Sequence, residues 1–193
     1  MSENISNREG SLSSSLGLTR EQIDDLLRRV SEEAVRRETN VSIFLIGGAA
    51  MALAYATSRS TRDLDGIFEP KAIVYEIART VAAEVPELNL TPGWLNDAAK
   101  GFMPGEDPNA TVYFDAPGLS VRIASPRYLF VMKAIAARES DVDDLRILFR
   151  LCEFESADEA MDEVLAAYPT RAIKPNVQYL IEEIASELRN KSG

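Results

Sequence analysis

The sequence predicts an α+β fold: a small mixed β-sheet flanked by helices, followed by a C-terminal helical region. Three observations predict it. Apolar residues recur at helical spacing over 19–38 and again beyond residue 125. Between them, "VSIFLIGG", "RDLDGIF" and "ATVYFDAPGLSVRIA" read as short strands bounded by glycine and proline. The order is therefore a helix, a sheet interleaved with helices, and a helical tail, with no internal repeat.

The elements follow in turn. Thr19 and Gln22 fit a capping box, and Ile23, Leu26, Leu27, Val30 and Ala34 then share one helical face. "VSIFLIGG" is a buried strand ended by Gly47 and Gly48, and "AAMALAYA" a helix of small side chains suited to close packing. "RDLDGIF" is a second strand, with Leu64 and Ile67 directed to the core. Pro70 opens a helix to Glu84 that carries Ile73, Ile77 and Val81 on one face. From Pro86 to Pro108 the chain is punctuated by Pro and Gly, and "WLND" is its one compact apolar piece. "ATVYFDAPGLSVRIA" is a hairpin with a tight "APG" turn. Ser125 and Pro126 start a helix to Ala137, Ser140 caps the next one, and helices over 157–167 and 173–190 finish the chain. Residues 1–16 read as a disordered polar tail, 17–124 as the core, and 125–193 as a helical region packed on it.

Composition narrows the chemistry. No apolar run approaches the roughly 20 residues that cross a bilayer, and the Ser-rich start is no secretory signal, so a cytoplasmic protein with no membrane partner is expected. One cysteine, Cys152, excludes an internal disulfide and a multi-thiolate zinc site. There is no histidine, which removes Ser-His-Asp and Cys-His catalysis, histidine metal sites and histidine general bases together. What remains is carboxylates, Lys, Arg, hydroxyls and bound metal. The net charge of −10 has the wrong sign for coating a nucleic acid by bulk electrostatics.

Against that background, Asp63 and Asp65 stand out. On a strand they point to the same side, where like charges raise each other's pKa and a divalent cation with a taste for hard oxygen ligands relieves the repulsion. Solvated acids on an edge strand would look the same. Gly47 and Gly48 close the preceding strand where a helix begins, so bare backbone and helix amides can approach an anion. Arg59, Thr61 and Arg62 add two cations and a hydroxyl just before the acids.

"FLIGG" followed by "RSTRDLDGIF" resembles the signature of the nucleotidyltransferase superfamily, a glycine pair, a helix, then Asp-x-Asp on a second strand. Here 14 residues separate Gly48 from Asp63, slightly more than is usual there. More narrowly, "RSTRDLD" is similar to a motif of AbiEii/MenT-like nucleotidyltransferases, several of which are toxins of bacterial toxin–antitoxin systems. A later segment of that group is matched by "YLFVMKAIAARESDVDDLRIL" through Lys133, Ala137, Arg138, Asp141, Asp144 and Leu145, and "PGWLND" echoes a third region.

The resemblance implies a nucleotidyltransferase-type sheet and a set of roles. Asp63 and Asp65 would hold Mg²⁺, with Mn²⁺ as a substitute, bridging the triphosphate of an NTP substrate. Gly47 and Gly48 would form the wall behind the phosphates. Lys133 would contact the triphosphate or the transition-state charge, and one of Asp141 or Asp144 would act from the helical region. Thr61 would occupy a position that is a regulatory phosphorylation site in some relatives. Some of the group carry a Lys soon after the glycine pair. Here that contact is absent or comes from Arg59 or Arg62. Asp115 is a candidate third carboxylate. The implied acceptor is the 3′ end of tRNA and the implied partner a cognate antitoxin. Arg122, Arg127, Lys133 and Arg138 could form a basic funnel for an acceptor stem. A small-molecule nucleotidyltransferase and an inert binding protein of the same fold are the alternatives, and the negative charge suits a cationic small substrate.

Overall fold

The structure is a computed structural model that describes residues 17–55 and 60–190, so the 1–16 tail and Arg59 lie outside the described residues. Helix α1 (Arg20–Arg36) begins at the expected capping box, with both reciprocal bonds between Thr19 and Gln22 formed. Its apolar stripe is fully buried from Ile23 to Ala34. Strand β1 (Val41–Leu45) follows and pairs with β2 (Leu64–Glu69) antiparallel and with β5 (Leu119–Ile123) parallel. Strand β4 (Thr111–Ala116) lies antiparallel to β5 at one edge, and β3 (Leu95–Asn96) lies parallel to β2 at the other. The order β3-β2-β1-β5-β4 makes a five-stranded mixed sheet, in an α+β arrangement with α1 and α3 (Lys71–Glu84) among its flanking helices. Among the described residues no helix is long and apolar enough to cross a membrane.

Helices α4 (Pro126–Ala136), α5 (Val142–Leu151), α6 (Ala157–Ala167) and α7 (Pro175–Asn190) complete the chain within a few residues of expectation. They share one apolar core with the sheet: Leu129 and Phe130 of α4, Leu148 of α5 and Ile184 of α7 belong to the same buried cluster as Ile43, Leu45 and Val121.

Four local readings are corrected. The glycine pair does not end a strand: β1 stops at Leu45, and Gly47 and Gly48 are the first residues of α2 (Gly47–Ala50), which continues as a π turn over Met51–Tyr55. Asp63 sits in a bend ahead of β2 rather than on the strand. Leu64, Gly66 and Phe68 form the buried face of β2, so Ile67 shares the half-buried side of Asp65, as strict alternation demands. Finally, Ser140 caps nothing. It is exposed in a 3₁₀ turn, and the residue before α5 is Asp141, whose carboxylate makes no cap because it is held by a lysine.

The missed element is β3. Trp94 is fully buried and donates its indole N–H to the Ala78 carbonyl at 2.9 Å, which pins "WLND" beside β2. Two residues were too short a strand to read from periodicity.

Candidate active site

The backbone at the β1–α2 junction is dictated by what packs against it. Gly47 has φ +62, and a Cβ there would lie 3.2 Å from an Asp65 carboxylate oxygen. A Cβ on Gly48 would lie 2.9 Å from the Thr61 hydroxyl, closer than real contacts allow. Both glycines are therefore required by the first motif itself: bare backbone sits directly against the residues of "RSTRDLD". The same junction exposes the first amides of α2, which lack intrahelical acceptors and favour an anion.

These glycines and Asp65 line a pocket of about 130 Å³, together with Leu129, Met132, Lys133 and Ala136 of α4, Arg138 and Asp141 beyond it, and Ala99 and Phe102 of the 3₁₀ turn Ala98–Phe102. Sheet pairing sets Asn96 of β3 level with Asp65, where its side-chain amide favours the ionised Asp65 carboxylate. Burial, and then the charge of Asp63, push the Asp65 carboxyl above its ordinary value. Asn96, Arg138 and Lys133 pull the other way.

Lys133 is 7% exposed, and its ammonium reaches Asp141 at 2.6 Å and Asp144 at 2.8 Å. The left-handed turn at Ala137 (φ 46) ends α4 and brings the chain back so that the first turn of α5 faces it. Asp141 reaches the pocket wall, whereas Asp144 is 0% exposed and acts through Lys133. Lys133 is thus pre-positioned by two acids instead of extending freely into the pocket.

Other expected site residues are placed elsewhere. Asp63 is half-buried and is not a pocket wall, although its charge bears on Asp65. Thr61 is buried, bridges to Leu18 and donates its hydroxyl to the Asp63 carbonyl at 2.9 Å, which shapes the bend. A phosphoryl group on it requires that bridge to open. Arg62 is exposed and outside the pocket. Asp115 is exposed on edge strand β4, so the further carboxylate at the pocket is Asp141. The basic funnel is dispersed: Arg122 donates to the Ala110 carbonyl, Arg127 pairs with Glu163 at 2.8 Å and covers Phe154, and of the four cations only Lys133 and Arg138 meet the pocket. Asn96 and Phe102 are the additions that the sequence did not single out. "PGWLND" was the signal for Asn96, and nothing local marked Phe102.

A family described as "Nucleotidyltransferase of unknown function (DUF6036)" matches residues 22–170, which span α1 to just beyond α6 and include both motifs. The chain belongs to that family. Membership reaches this nucleotidyltransferase family, and it does not extend to the AbiEii/MenT-like group in particular. Neither a curated protein nor a solved structure matches the chain.

Among the described residues no three acidic, cysteine or histidine side chains form a metal cluster. The residues still fit Mg²⁺ of the nucleotidyltransferase kind. That ion is commonly held by one or two carboxylates, with substrate phosphates and water completing its octahedron. Asp65 would supply hard oxygen beside the glycine wall, a cation there would relieve its repulsion with Asp63, and Asp63, outside the pocket lining, would be the second acid.

Proposed function

We propose that the protein is a metal-dependent nucleotidyltransferase that moves a nucleotide from an NTP to an acceptor hydroxyl, acting as a toxin-like enzyme on the 3′ end of tRNA. The observation that carries the reading is the convergence of two motifs about 70 residues apart: Gly47, Gly48 and Asp65 share one pocket with Lys133, Arg138 and Asp141. Asp65 and Asp63 would hold Mg²⁺, which when bound neutralises the triphosphate and favours departure of pyrophosphate. Gly47 and Gly48 present backbone N–H groups to the phosphate oxygens, and no side chain intervenes. Lys133, fixed by Asp141 and Asp144, adds a cation whose position costs no reorganisation when charge moves to the leaving group. Catalysis by positioning and charge needs no histidine.

The likeness to AbiEii/MenT-like toxins supports tRNA as acceptor and an antitoxin as partner. Arg138, exposed at the pocket and without a carboxylate within ion-pairing distance among the described residues, supports an anionic substrate. Incubation with Mg²⁺, each α-labelled NTP and total bacterial RNA tests it, with Asp65→Ala alongside. A labelled tRNA-sized band lost in the variant is expected. Turnover of NTP with unlabelled RNA would transfer the acceptor to small molecules, and no turnover at all would leave a binding protein of the fold.

A further inference from the structure

The pocket wall combines two kinds of surface. Asp65, Lys133, Asp141 and the glycine backbone are the groups that suit phosphate and metal. Phe102, half-buried, also lines it, and its ring takes two guanidinium groups: Arg138 at 5.6 Å and Arg171 at 5.8 Å from the centroid. Arg171 comes from the α6–α7 connection, far from either motif, and also lies 5.7 Å from the Tyr168 ring. Neither arginine has an acid within ion-pairing distance among the described residues, in a chain of net charge −10. The backbone that carries the ring is held in place, because the Tyr168 hydroxyl donates to the Phe102 carbonyl.

Size decides what belongs there. The cavity of about 130 Å³ is well below the roughly 300–1,000 Å³ of pockets that enclose a drug-sized ligand, so a nucleotide with its phosphates inside must extend beyond it. The base is planar and largely apolar, and the aromatic face that the pocket lining offers it is Phe102. An exposed guanidinium–ring contact is weaker than a base–aromatic stack, so a base can take the ring face from an arginine. The displaced guanidinium remains next to the base's ring nitrogens and carbonyls, to which it donates.

We infer that Phe102, Arg138 and Arg171 seat the nucleobase of the bound nucleoside triphosphate, an inference that rests on the nucleotidyltransferase reading above. The C-terminal helical region thereby contributes directly to substrate binding, through Arg171.

Two probes test this in the full chain with Mg²⁺: a non-hydrolysable α,β-methylene NTP, and tripolyphosphate, which has no base. Titration calorimetry on the unaltered protein, Phe102→Ala and Arg171→Gln gives the affinities, with thermal melting to confirm folding. Expected is nucleotide affinity about tenfold lower in Phe102→Ala and a smaller loss in Arg171→Gln, with tripolyphosphate affinity unchanged in both. Phe102→Tyr should keep nucleotide affinity, since it keeps the ring. Equal loss for both probes, or no loss for the nucleotide, overturns the inference. If the unaltered protein binds both probes equally well, the base is not contacted and only this inference fails. If it binds neither, the nucleotidyltransferase reading fails and takes the inference with it.

Discussion

Two charged networks in this protein use the same residue types and differ in burial. On the outer flank, Arg29, Arg36 and Arg37 of α1 pair with Glu33 and, across to α3, with Glu76 and Glu84, at 2.6 to 3.5 Å. Apart from Glu33, 8% exposed and shared by Arg36 and Arg37, these side chains are about a third or more exposed, so water screens the pairs across to α3 to about 0–1 kcal/mol. At the pocket, one lysine serves two acids with 9%, 11% and 0% of their side chains exposed. There the desolvation of three charges is offset by their mutual geometry, and removing the lysine takes away the cation that both acids share. The flank tolerates loss because solvent replaces a missing partner. The pocket cannot, and that rigidity fixes a cation at the pocket wall.

The sharpest way to break the contrast is Lys133→Met, which should cost about 3–5 kcal/mol and lower the melting temperature by roughly 10 °C, read by calorimetry. Adding Asp141→Asn and Asp144→Asn should recover much of that stability, because the stranded charges are gone. Gly48→Ala forces a methyl to within 2.9 Å of the Thr61 hydroxyl and should cost about 1–3 kcal/mol in denaturant unfolding. Thr61→Ala in the same chain removes the clashing oxygen and should restore part of it. On the flank, Arg37→Ala should cost about 1 kcal/mol or less despite contacts to Glu33, Glu76 and Thr80, and the loss should shrink in high salt.

The smallest effect sharpens the comparison from the other side. Asp65's carboxyl is raised by burial and by Asp63, so its protonated form is the one folding favours. The stability linked to that proton is fully present below the unfolded-state pKa and lost as pH rises through the raised one. At neutral pH, Asp65→Asn should therefore raise the metal-free melting temperature slightly, by about 1–2 °C. The same variant should lose the thermal shift that Mg²⁺ gives the unaltered protein, and with it transferase activity.

Much of the fold was legible because local chemistry and long-range packing agree. The capping box at Thr19, the Ser125-Pro126 start of α4 and the "APG" turn with Gly118 at φ +79 each state their own geometry. Where a side chain had a distant partner, local reading failed. Asp141 is a natural cap, yet its carboxylate is drawn to Lys133, and Ser140 is left exposed. Arg127 reads as one cation of a basic funnel and is in fact laid across Phe154.

By itself the sequence determined the order of the elements other than β3 and the chemistry excluded by the absence of histidine, both of which follow from residue type and spacing, which are local properties. Its resemblance to nucleotidyltransferases marked the acids, glycines and lysine as candidates. Only the tertiary structure decided that Asp65 lies against Gly47, that Asn96 stands level with it, that Asp144 is buried behind Lys133, and that Arg171 reaches Phe102. Such contacts join residues 11 to 69 positions apart, and packing, which no short-range pattern encodes, selects them.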